Sequence, residues 1–334
     1  METMMPPTSS PLSPALVPFL IAPQFVERVW GSTDLRPWFD HTASPAHPIG
    51  EVWLTGDDCL ASTGPCAGLS LAQVFAAHAP ALLGPDAPEA ASPLLLKVLF
   101  AQQKLSVQVH PDDAMAQHLG FPRGKTECWY ALAAEPGAQV ACGLLPGTTL
   151  DEIRTRIADG SLESRLQALP ILPRELIYVD AGTVHAIWPG SVLLETQQNC
   201  DLTYRMFDYG RPRQLHVDLS LQATRFTTRA GQRQPIHLLD RELLVDEDYF
   251  RIERLSPNPA WTRDTLASTT GSSLAYLFVS EGSGLITASD SGFAPIPLTP
   301  RSVVALPASS PDFTIHNTGN LELIRITPHW PQNR

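Results

Sequence analysis

Four residues in the sequence have the types and the spacing of ligands for a divalent metal ion. Gln108 and His110 lie on one predicted strand, and residues two apart on a strand point to the same face. Glu127 begins the next predicted strand, and His185 follows a turn at Gly182. Two imidazoles, a carboxylate and an amide oxygen suit a borderline ion such as zinc and leave room for water or substrate.

Each of these residues, taken alone, also has a simpler interpretation. The sequence contains 10 histidines, and most histidines in a protein lie on the surface or are hydrogen-bonded core residues. His110 alone is therefore best interpreted as a core residue, and His185 alone fits a structural role at its turn equally well. The metal interpretation depends on the set of four.

Composition excludes several classes of partner. The net charge of −11 provides no basic surface for nucleic acid. The lysines, Lys97, Lys104 and Lys125, lie close together in the sequence, which leaves open a role for at least one in binding an anion. The 5 cysteines lack the spacing of a disulfide framework or a thiolate zinc site. With no secretory signal and no long apolar run, the sequence predicts a cytoplasmic protein without membrane contact.

The pattern of apolar residues predicts mostly strands with a few helices. A helix is expected over 70–83, with Leu71, Val74, Phe75 and Ala79 on one face. A short helix is expected from residues 112–113 to about 120, and another after a capping box formed by Thr148 and residue 151. Strands are expected over 94–100, 106–110, 128–132, 176–179 and 192–194, and strand and turn dominate after residue 175.

A weak internal repeat indicates two similar halves. Arg174–His185 aligns without gaps on Arg301–Asp312, and Tyr130–Gly137 aligns on Tyr276–Ser283. The repeat predicts two small jelly-roll β-barrels in tandem, with helices inserted around the first. We expect a flexible segment at 1–24, a catalytic barrel at 25–235 and a degenerate barrel without metal at 236–334, because the counterpart of His185 is Asp312.

Five ordered blocks of the sequence resemble the signature segments of type I mannose-6-phosphate isomerases, in particular their short bacterial forms. The blocks are Ser106–Asp113, Gly124–Tyr130, Gly182–Ala186, Leu194–Asn199 and Tyr204–Tyr209. Weaker similarity occurs at Arg28–Gly31, Gly50–Trp53 and Leu94–Lys97. The resemblance implies two cupin-type barrels and a zinc-dependent enzyme that interconverts D-mannose 6-phosphate and D-fructose 6-phosphate.

The resemblance also implies roles for individual residues. His110, Glu127 and His185 would bind one zinc ion per chain, and Gln108 would be a fourth ligand that not all short forms keep. Arg205 would be the essential arginine of the family, and Lys125 would line the pocket. Longer members have a histidine just before that lysine, where this sequence has Gly124, so its proposed proton-transfer role must pass to another group or is not needed.

The implied reaction moves a proton between adjacent carbons through an enediolate, which requires a base and groups that stabilise negative charge. Glu195 is the candidate for proton transfer, although it could equally orient Arg205 or a ligand histidine. Lys97, Lys125 and Arg205 are the candidates for binding phosphate. Arg205 follows Glu195 by 10 residues, which predicts a hairpin that turns near Asn199 and brings the two side chains together.

Other cupin functions make different demands on the sequence. A sugar sensor or carrier would keep the metal ligands without needing Arg205 and Glu195, an iron oxygenase would not require the lysines, and a storage protein would not require a polar pocket. The joint presence of these residues favours the isomerase. The expected partner is a small sugar phosphate, and the expected oligomeric state is a monomer or a weak homodimer.

Overall fold

The structure, a computed structural model, describes residues 16–84, 87–88, 90–258, 260–267 and 273–330. Most of this chain forms antiparallel β-strands. The strands of its first part are β1 Phe19–Ile21, β2 Gln24–Ser32, β3 Ile49–Trp53, β4 Leu94–Ala101, β5 Val107–Val109, β6 Glu127–Ala134, β7 Gln139–Leu144, β8 Leu166–Pro170, β9 Leu176–Val179, β10 His185–Ile187, β11 Ser191–Gln198 and β12 Tyr204–Phe207. The remaining strands are β13 Gly231–Arg233, β14 Ile236–His237, β15 Arg241–Asp246, β16 Phe250–Leu255, β17 Ala260–Thr262, β18 Ala275–Ala288, β19 Ile296–Leu298, β20 Val303–Leu306 and β21 Phe313–Pro328.

Short helices connect the strands, and they confirm the predicted elements in outline. They are α1 Leu71–Leu83, α2 Asp113–His118, α3 Leu150–Asp159, α4 Val217–Ala223 and α5 Arg263–Ala267, with a 3₁₀ turn at Leu162–Arg165. Helix α1 lies within one residue of its predicted range, and a capping box at Ser70 marks its start. The Ser70 hydroxyl accepts from the Gln73 backbone N–H at 3.3 Å, and the Gln73 side chain accepts from the Ser70 N–H at 2.9 Å.

The predicted start of α3 is wrong by one residue. Thr149, and not Thr148, is the N-cap, and its hydroxyl accepts from the Glu152 backbone N–H at 3.2 Å. The Thr148 hydroxyl instead donates to the carbonyl of Leu145 at 2.7 Å, which closes the preceding turn. Two adjacent threonines can each cap a helix, and the turn decides which of them does so.

Three antiparallel sheets contain the described strands. Sheet I has the order β13-β9-β6-β11-β4-β3-β2, and Sheet II has the order β12-β5-β10-β7-β8. Sheet III has the order β1-β20-β18-β21-β16-β15-β14, with β17 on β21 and β19 on β18. Side chains of Sheets I and II pack together in one apolar cluster that includes Trp129, Leu193, Val140 and Ile187. These strand orders are open among the described residues, so two closed tandem barrels stay a prediction.

Sheets I and III repeat the same pairing scheme in the same chain order over six strands, and they differ at the seventh, because β13 follows the other strands of Sheet I in the chain whereas β1 precedes those of Sheet III. The turns that lead into β9 and β20 are also alike, because Arg174 and Arg301 both adopt positive φ, at 75° and 70°. The backbone N–H of Arg174 donates to the carbonyl of Ala131, and that of Arg301 donates to the carbonyl of Val279. The alignment of Arg174–His185 on the second copy therefore agrees with the structure. The same two hydrogen bonds make Ala131 the counterpart of Val279, and hence Tyr130 the counterpart of Phe278. The predicted alignment of Tyr130 on Tyr276 is therefore wrong by two residues.

A buried group of charges lies on three adjacent strands of Sheet I. Lys97 of β4 is the cross-strand partner of Glu195 on β11, and Leu99, on the same strand as Lys97, is the partner of Glu51 on β3. The Lys97 ammonium lies 3.5 Å from the Glu195 carboxylate and 3.8 Å from the Glu51 carboxylate. One cation between two anions is therefore held by the pairing of these strands.

Sheet III has the same group at the same positions with every charge reversed. Glu253 of β16 is the cross-strand partner of Arg325 on β21, and Leu255 is the partner of Arg241 on β15. The Glu253 carboxylate lies 3.3 Å from the Arg325 guanidinium and 3.9 Å from that of Arg241. Glu253, Arg325 and Arg241 are buried, and a third guanidinium, that of Arg251, lies 3.1 Å from the same carboxylate.

The structure differs from the expected flexible N-terminus over residues 16–24. Strand β1 pairs with β20 in Sheet III, so Phe19 lies opposite Ala305. Leu16 and Phe19 are buried in the core, which explains why this segment is ordered. Residues 1–15 lie outside the described residues.

Candidate metal centre and pocket

Three predicted metal ligands meet between Sheets I and II. His110 follows β5 directly, His185 begins β10, and Glu127 begins β6 of the facing sheet. His110 Nε2 lies 3.5 Å from Glu127 Oε2, and His185 Nε2 lies 3.4 Å from Glu127 Oε1. All three side chains are buried, and one ligand atom of each lies within 4.8 Å of the others. The sandwich thus brings together residues that are far apart in sequence.

Hydrogen bonds to the outer ring nitrogens orient both imidazoles. His110 Nδ1 lies 3.0 Å from the carbonyl of Leu202, and His185 Nδ1 lies 2.9 Å from the carbonyl of Thr183. A carbonyl only accepts, so each Nδ1 is the protonated nitrogen and each Nε2 carries the ring lone pair. Both lone pairs belong to the nitrogens that face Glu127, which is the tautomer that a metal ligand requires.

Burial keeps both imidazoles neutral, and the neighbouring Lys125 ammonium keeps the carboxylate charged. Burial lowers the pKa of His110 to about 3 and also lowers the pKa of His185. Burial alone would raise the pKa of Glu127, but its neighbours, led by the Lys125 ammonium, outweigh burial and hold that pKa well below its usual value. The Lys125 ammonium lies 3.0 Å from Glu127 Oε2. Neutral imidazole and ionised carboxylate are the protonation states that bind metal.

The unsatisfied atoms of this cluster fit a divalent ion. Buried His110 Nε2 and Glu127 Oε1 have no hydrogen-bond partner among the described residues. A buried polar atom left in this way costs about 1–3 kcal/mol, so proteins rarely keep such atoms without a use. Ligands of tetrahedral zinc, at about 2.0–2.1 Å from the metal, lie roughly 3.3 Å from each other. The separations of 3.4 and 3.5 Å, each to a different oxygen of Glu127, are close to this spacing, and one ligand atom of each residue lies within 4.8 Å of the others.

Gln108 reaches the cluster through its side-chain amide, and its role as a metal ligand stays a prediction. It is the cross-strand partner of His185, and its side-chain Nε2 lies 3.2 Å from His185 Nε2. With His185 protonated on Nδ1, the Gln108 amide donates to His185 Nε2. To act as a ligand the amide would have to rotate and present its oxygen.

A pocket of about 390 Å³ adjoins the cluster. Gln108 and Lys125, which contact His185 and Glu127, form part of its wall. The other lining residues that carry charge are Arg28, Glu51, Lys97, Glu195, Asp201, Arg205 and Arg213. Its size and polar lining suit a small charged molecule.

Lys97 lies among three carboxylates in one wall of this pocket. Its ammonium is 3.4 Å from Asp201, 3.5 Å from Glu195 and 3.8 Å from Glu51, and it lies over the Trp53 ring. The Lys97 side chain is 2 % exposed. Because three anions already surround this cation, it is poorly placed to bind a phosphate.

Glu195 is the carboxylate of this wall whose protonation is most affected by its surroundings. Its Oε1 accepts from the indole N–H of Trp129 at 3.2 Å. Burial and the charge of Glu127 raise the pKa of Glu195 to about 7, against the opposing effect of Lys125 and Lys97. A carboxyl group with a pKa near neutrality can both accept and release a proton at working pH.

The opposite wall carries two guanidinium groups. Arg205 lies on β12 opposite Gln108, and its guanidinium donates to the carbonyl of Gln214 at 2.8 Å. Arg213 forms a bidentate pair with buried Asp208, at 2.6 and 2.7 Å. Burial and the nearby Arg213 lower the pKa of Arg205. The pocket therefore has a carboxylate-rich wall and a cationic wall.

The predicted hairpin between Glu195 and Arg205 is wrong. Strand β12 pairs with β5 in Sheet II, whereas β11 belongs to Sheet I, so the chain crosses between the sheets after Asn199. The crossing places Arg205 across the pocket from Glu195, and both residues still line it. Residue spacing cannot distinguish a hairpin from a corner of a sandwich.

The sequence left open an anion-binding role for Lys104, and it has Gly124 where longer members of the family have a histidine. Lys104 pairs with Glu163 at 2.6 Å on the surface, and its side chain is 41 % exposed. A Cβ on Gly124 would lie 2.5 Å from the backbone of Pro111 and Asp112, so no side chain fits there without moving the chain. The backbone approach therefore excludes a histidine at position 124 in this conformation.

Sequence reasoning missed several charged residues of the pocket. Arg28 forms a bidentate pair with Glu51 at 3.0 and 2.9 Å, and Asp201 and Arg213 complete the two walls. Arg28 and Glu51 lie in segments of weak family similarity, and that similarity was the available signal. Asp201 and Arg213 lie just outside the stronger segments.

Comparison with known sequences identifies several related proteins. The sequence profile described as phosphomannose isomerase type I, catalytic domain, matches residues 19–171. A putative mannose-6-phosphate isomerase of Bacillus subtilis is 32 % identical over 328 residues, which cover 92 % of this chain and 99 % of the relative. The mannose-6-phosphate isomerase of Streptococcus mutans is 36 % identical over 248 residues, which cover 70 % of this chain and 77 % of the relative.

Solved structures show the same architecture. The crystal structure of a mannose 6-phosphate isomerase from Bacillus subtilis superposes with a TM-score of 0.81 at 31 % identity and covers 93 % of this chain and 99 % of its own. A phosphomannose isomerase from Salmonella typhimurium gives a TM-score of 0.75 at 17 % identity, over 93 % of this chain and 99 % of its own, a likeness of fold alone. Among the described residues, no helix has the length and apolar character needed to cross a membrane.

Proposed function

Because this chain belongs to the type I mannose-6-phosphate isomerase family, we propose that it interconverts D-mannose 6-phosphate and D-fructose 6-phosphate in the pocket described above, with one zinc ion per chain. The observation that carries the proposal is the buried His110–Glu127–His185 cluster beside a pocket with one carboxylate-rich and one cationic wall. Bound zinc would supply a Lewis acid for the sugar oxygens on which negative charge develops.

The residues His110, Glu127 and His185 hold the metal, and Gln108 joins them if its amide rotates. The hydrogen bonds from each Nδ1 to the carbonyls of Leu202 and Thr183 direct the two Nε2 lone pairs toward the centre. Lys125 lies 3.0 Å from the Glu127 carboxylate and adds a fixed positive charge beside the metal. A fixed charge in a buried site stabilises an enediolate more strongly than it would in water.

Glu195 is the group that transfers the proton. In the forward direction it takes the proton from carbon 2 of the open-chain aldose and returns it to carbon 1. A second proton passes from the oxygen on carbon 2 to that on carbon 1. The pKa of Glu195, raised to about 7, allows both the ionised and the protonated form at neutral pH. The Lys97 ammonium holds three carboxylates in place, those of Glu195, Glu51 and Asp201. We assign Lys97 to this task instead of phosphate binding.

Arg205 binds the phosphate from the cationic wall. A guanidinium stays charged at working pH and fits the geometry of a phosphate. Arg213, which Asp208 holds in a bidentate pair, adds positive charge on the same side. With Arg205 as the phosphate-binding residue, the phosphate lies at the wall opposite Glu195. The reacting carbons then extend toward the metal cluster.

A coupled assay tests the proposal. Purified protein is stripped of metal and reloaded with zinc, and fructose 6-phosphate formed from mannose 6-phosphate is measured. We expect turnover only in the loaded form, and about one zinc per chain by elemental analysis. His185→Ala should lose both the metal and the turnover, whereas His47→Ala should keep them, because the His47 side chain is 64 % exposed and pairs with Glu27. Turnover that persists without metal, or full zinc in His185→Ala, would overturn the proposal.

A further inference from the structure

We propose that Tyr249, a residue of the part of the chain that forms Sheet III, is a positioning residue of the metal centre and acts through the carboxylate of Asp113. The inference rests on the proposed function, because it concerns the zinc site. Tyr249 lies in the turn between β15 and β16, and its hydroxyl donates to Asp113 Oδ2 at 2.8 Å.

The Asp113 carboxylate joins three segments. Besides the Tyr249 hydroxyl, it accepts from the backbone N–H of Gly124 at 2.7 Å and from the side-chain amide of Gln198 at 2.9 Å. Asp113 itself is the first residue of α2 and lies three positions after the ligand His110. Hydrogen bonds to an ionised acceptor are among the stronger ones in proteins, so this carboxylate fixes the relative positions of its donors.

The segment that begins at Gly124 carries Lys125 and the ligand Glu127. Its backbone lies so close to residues 111–113 that a Cβ on Gly124 would clash with main-chain atoms, and the Lys125 N–H donates to the carbonyl of Pro111 at 3.0 Å. Gln198 continues the network, because its side-chain oxygen accepts from the Thr126 N–H at 2.9 Å. Asp113 therefore fastens the segment that precedes Glu127 to the segment that follows His110.

Tyr249 is well placed to hold Asp113 in this orientation. Its carbonyl accepts from the backbone N–H of His329 at 2.8 Å, and the next residue, Phe250, is fully buried against Tyr178. The hydroxyl is thus presented from a fixed part of Sheet III. The Asp113 carboxylate has two donors on Oδ1 and one donor, Tyr249, on Oδ2. Removing the Tyr249 hydroxyl therefore takes away the hydrogen bond that holds Oδ2.

A second hydrogen bond across the same junction supplies a matched control. The Tyr130 hydroxyl of β6 accepts from the Arg254 guanidinium of β16 at 3.3 Å, and this bond does not involve Asp113. Tyr130→Phe and Tyr249→Phe each remove one hydroxyl that links the two parts of the chain. A role in docking alone predicts the same consequence for both variants, whereas a role in positioning the metal centre predicts different consequences.

The experiment measures the zinc dissociation constant by competition with a chromophoric chelator, together with the melting temperature of each metal-free protein. We expect Tyr249→Phe to weaken zinc binding about 10-fold, the lower end of the loss seen for residues that orient metal ligands, and Tyr130→Phe to leave it unchanged. In an Asp113→Ala background, the further change Tyr249→Phe should add nothing, because the two residues act as one unit.

Three results would overturn the inference while leaving the zinc site itself intact. They are equal loss of affinity in Tyr130→Phe and Tyr249→Phe, unchanged affinity in Tyr249→Phe, and full additivity with Asp113→Ala. If the unaltered chain binds no zinc, the proposed function fails as well. The two failures are therefore distinguishable.

Discussion

Replacing Lys97 by Met tests whether burial or distance sets the strength of an ion pair in this protein. Lys97 contacts three carboxylates at 3.4, 3.5 and 3.8 Å and is 2 % exposed. Lys104 has the shorter contact, 2.6 Å to Glu163, but its side chain is 41 % exposed. Methionine keeps most of the length and apolar volume of lysine. Lys97→Met and Lys104→Met therefore differ mainly in how much the removed ammonium charge contributed to stability.

The expected magnitudes follow from the surroundings. Two opposite charges about 3.5 Å apart attract by about 5 kcal/mol at an effective dielectric constant of about 20. Removing one partner of a buried pair costs about 3–5 kcal/mol, because the other partner stays buried and uncompensated. An exposed pair contributes about 1 kcal/mol or less. We therefore expect Lys97→Met to lower the free energy of unfolding by about 3–5 kcal/mol and Lys104→Met by about 1 kcal/mol or less, despite its shorter contact.

The loss in Lys97→Met should also depend on pH. Burial raises the pKa values of Glu51 and Asp201, but nearby cations, of which Lys97 contributes most, together outweigh it and hold both pKa values below their usual range. Carboxyl groups with a lowered folded pKa stabilise the protein above their unfolded pKa of about 4, and this contribution is lost as the pH falls. The difference between wild type and Lys97→Met should thus be largest at pH 7–8 and shrink toward about pH 4.

Thermal and denaturant unfolding of the metal-free proteins, each at pH 8, 6 and 4.5, measure these differences. A packing defect would give a loss that is independent of pH. The reasoning is refuted if Lys104→Met destabilises the protein as much as Lys97→Met does, or if the loss in Lys97→Met is the same at all three pH values.

Three further predictions follow from the pocket. Arg205→Ala should keep its zinc and its fold but lose about 100- to 1,000-fold in turnover, and near-normal kinetics would place Arg205 outside the reaction. Zinc should bind beside His185 only, so anomalous scattering at the zinc edge should give no peak near Asp312, and a peak there would contradict a metal-free second copy. Burial lowers the pKa values of His110 and His185, so the metal-free protein should lose stability as the pH falls below about 6.5; melting temperatures that stay level from pH 8 to 5 would argue against this.

The ligand cluster could be predicted from sequence because local rules place its members. Alternation along β5 puts Gln108 and the residue after the strand, His110, on one side, and a turn at Gly182 precedes His185. The family resemblance then selected these residues among the 10 histidines. The structure brings His110, Glu127 and His185 together, and their roles in binding metal stay a proposal.

The surroundings of the charged residues could not be predicted in the same way. Lys97 meets Glu51 and Glu195 only because β4 pairs with both β3 and β11, and such long-range register is not encoded in local spacing. The position of Arg205 depends on a crossing between sheets, which looks like a hairpin in the sequence. The absence of a side chain at Gly124 is explained by a backbone approach that only the folded chain reveals.

The reversed charges of Sheets I and III separate two properties that usually change together. Attraction within a cluster depends on the product of its charges, so reversing every sign leaves its cohesion intact. The electric field that the cluster casts into the neighbouring interior does change sign. The Lys97 group lines the pocket and sets carboxylates around a central ammonium, whereas the Glu253 group sets guanidinium groups around a central carboxylate. This architecture can therefore keep a buried ionic group at one fixed place on its strands while the sign of the central charge differs between the two copies.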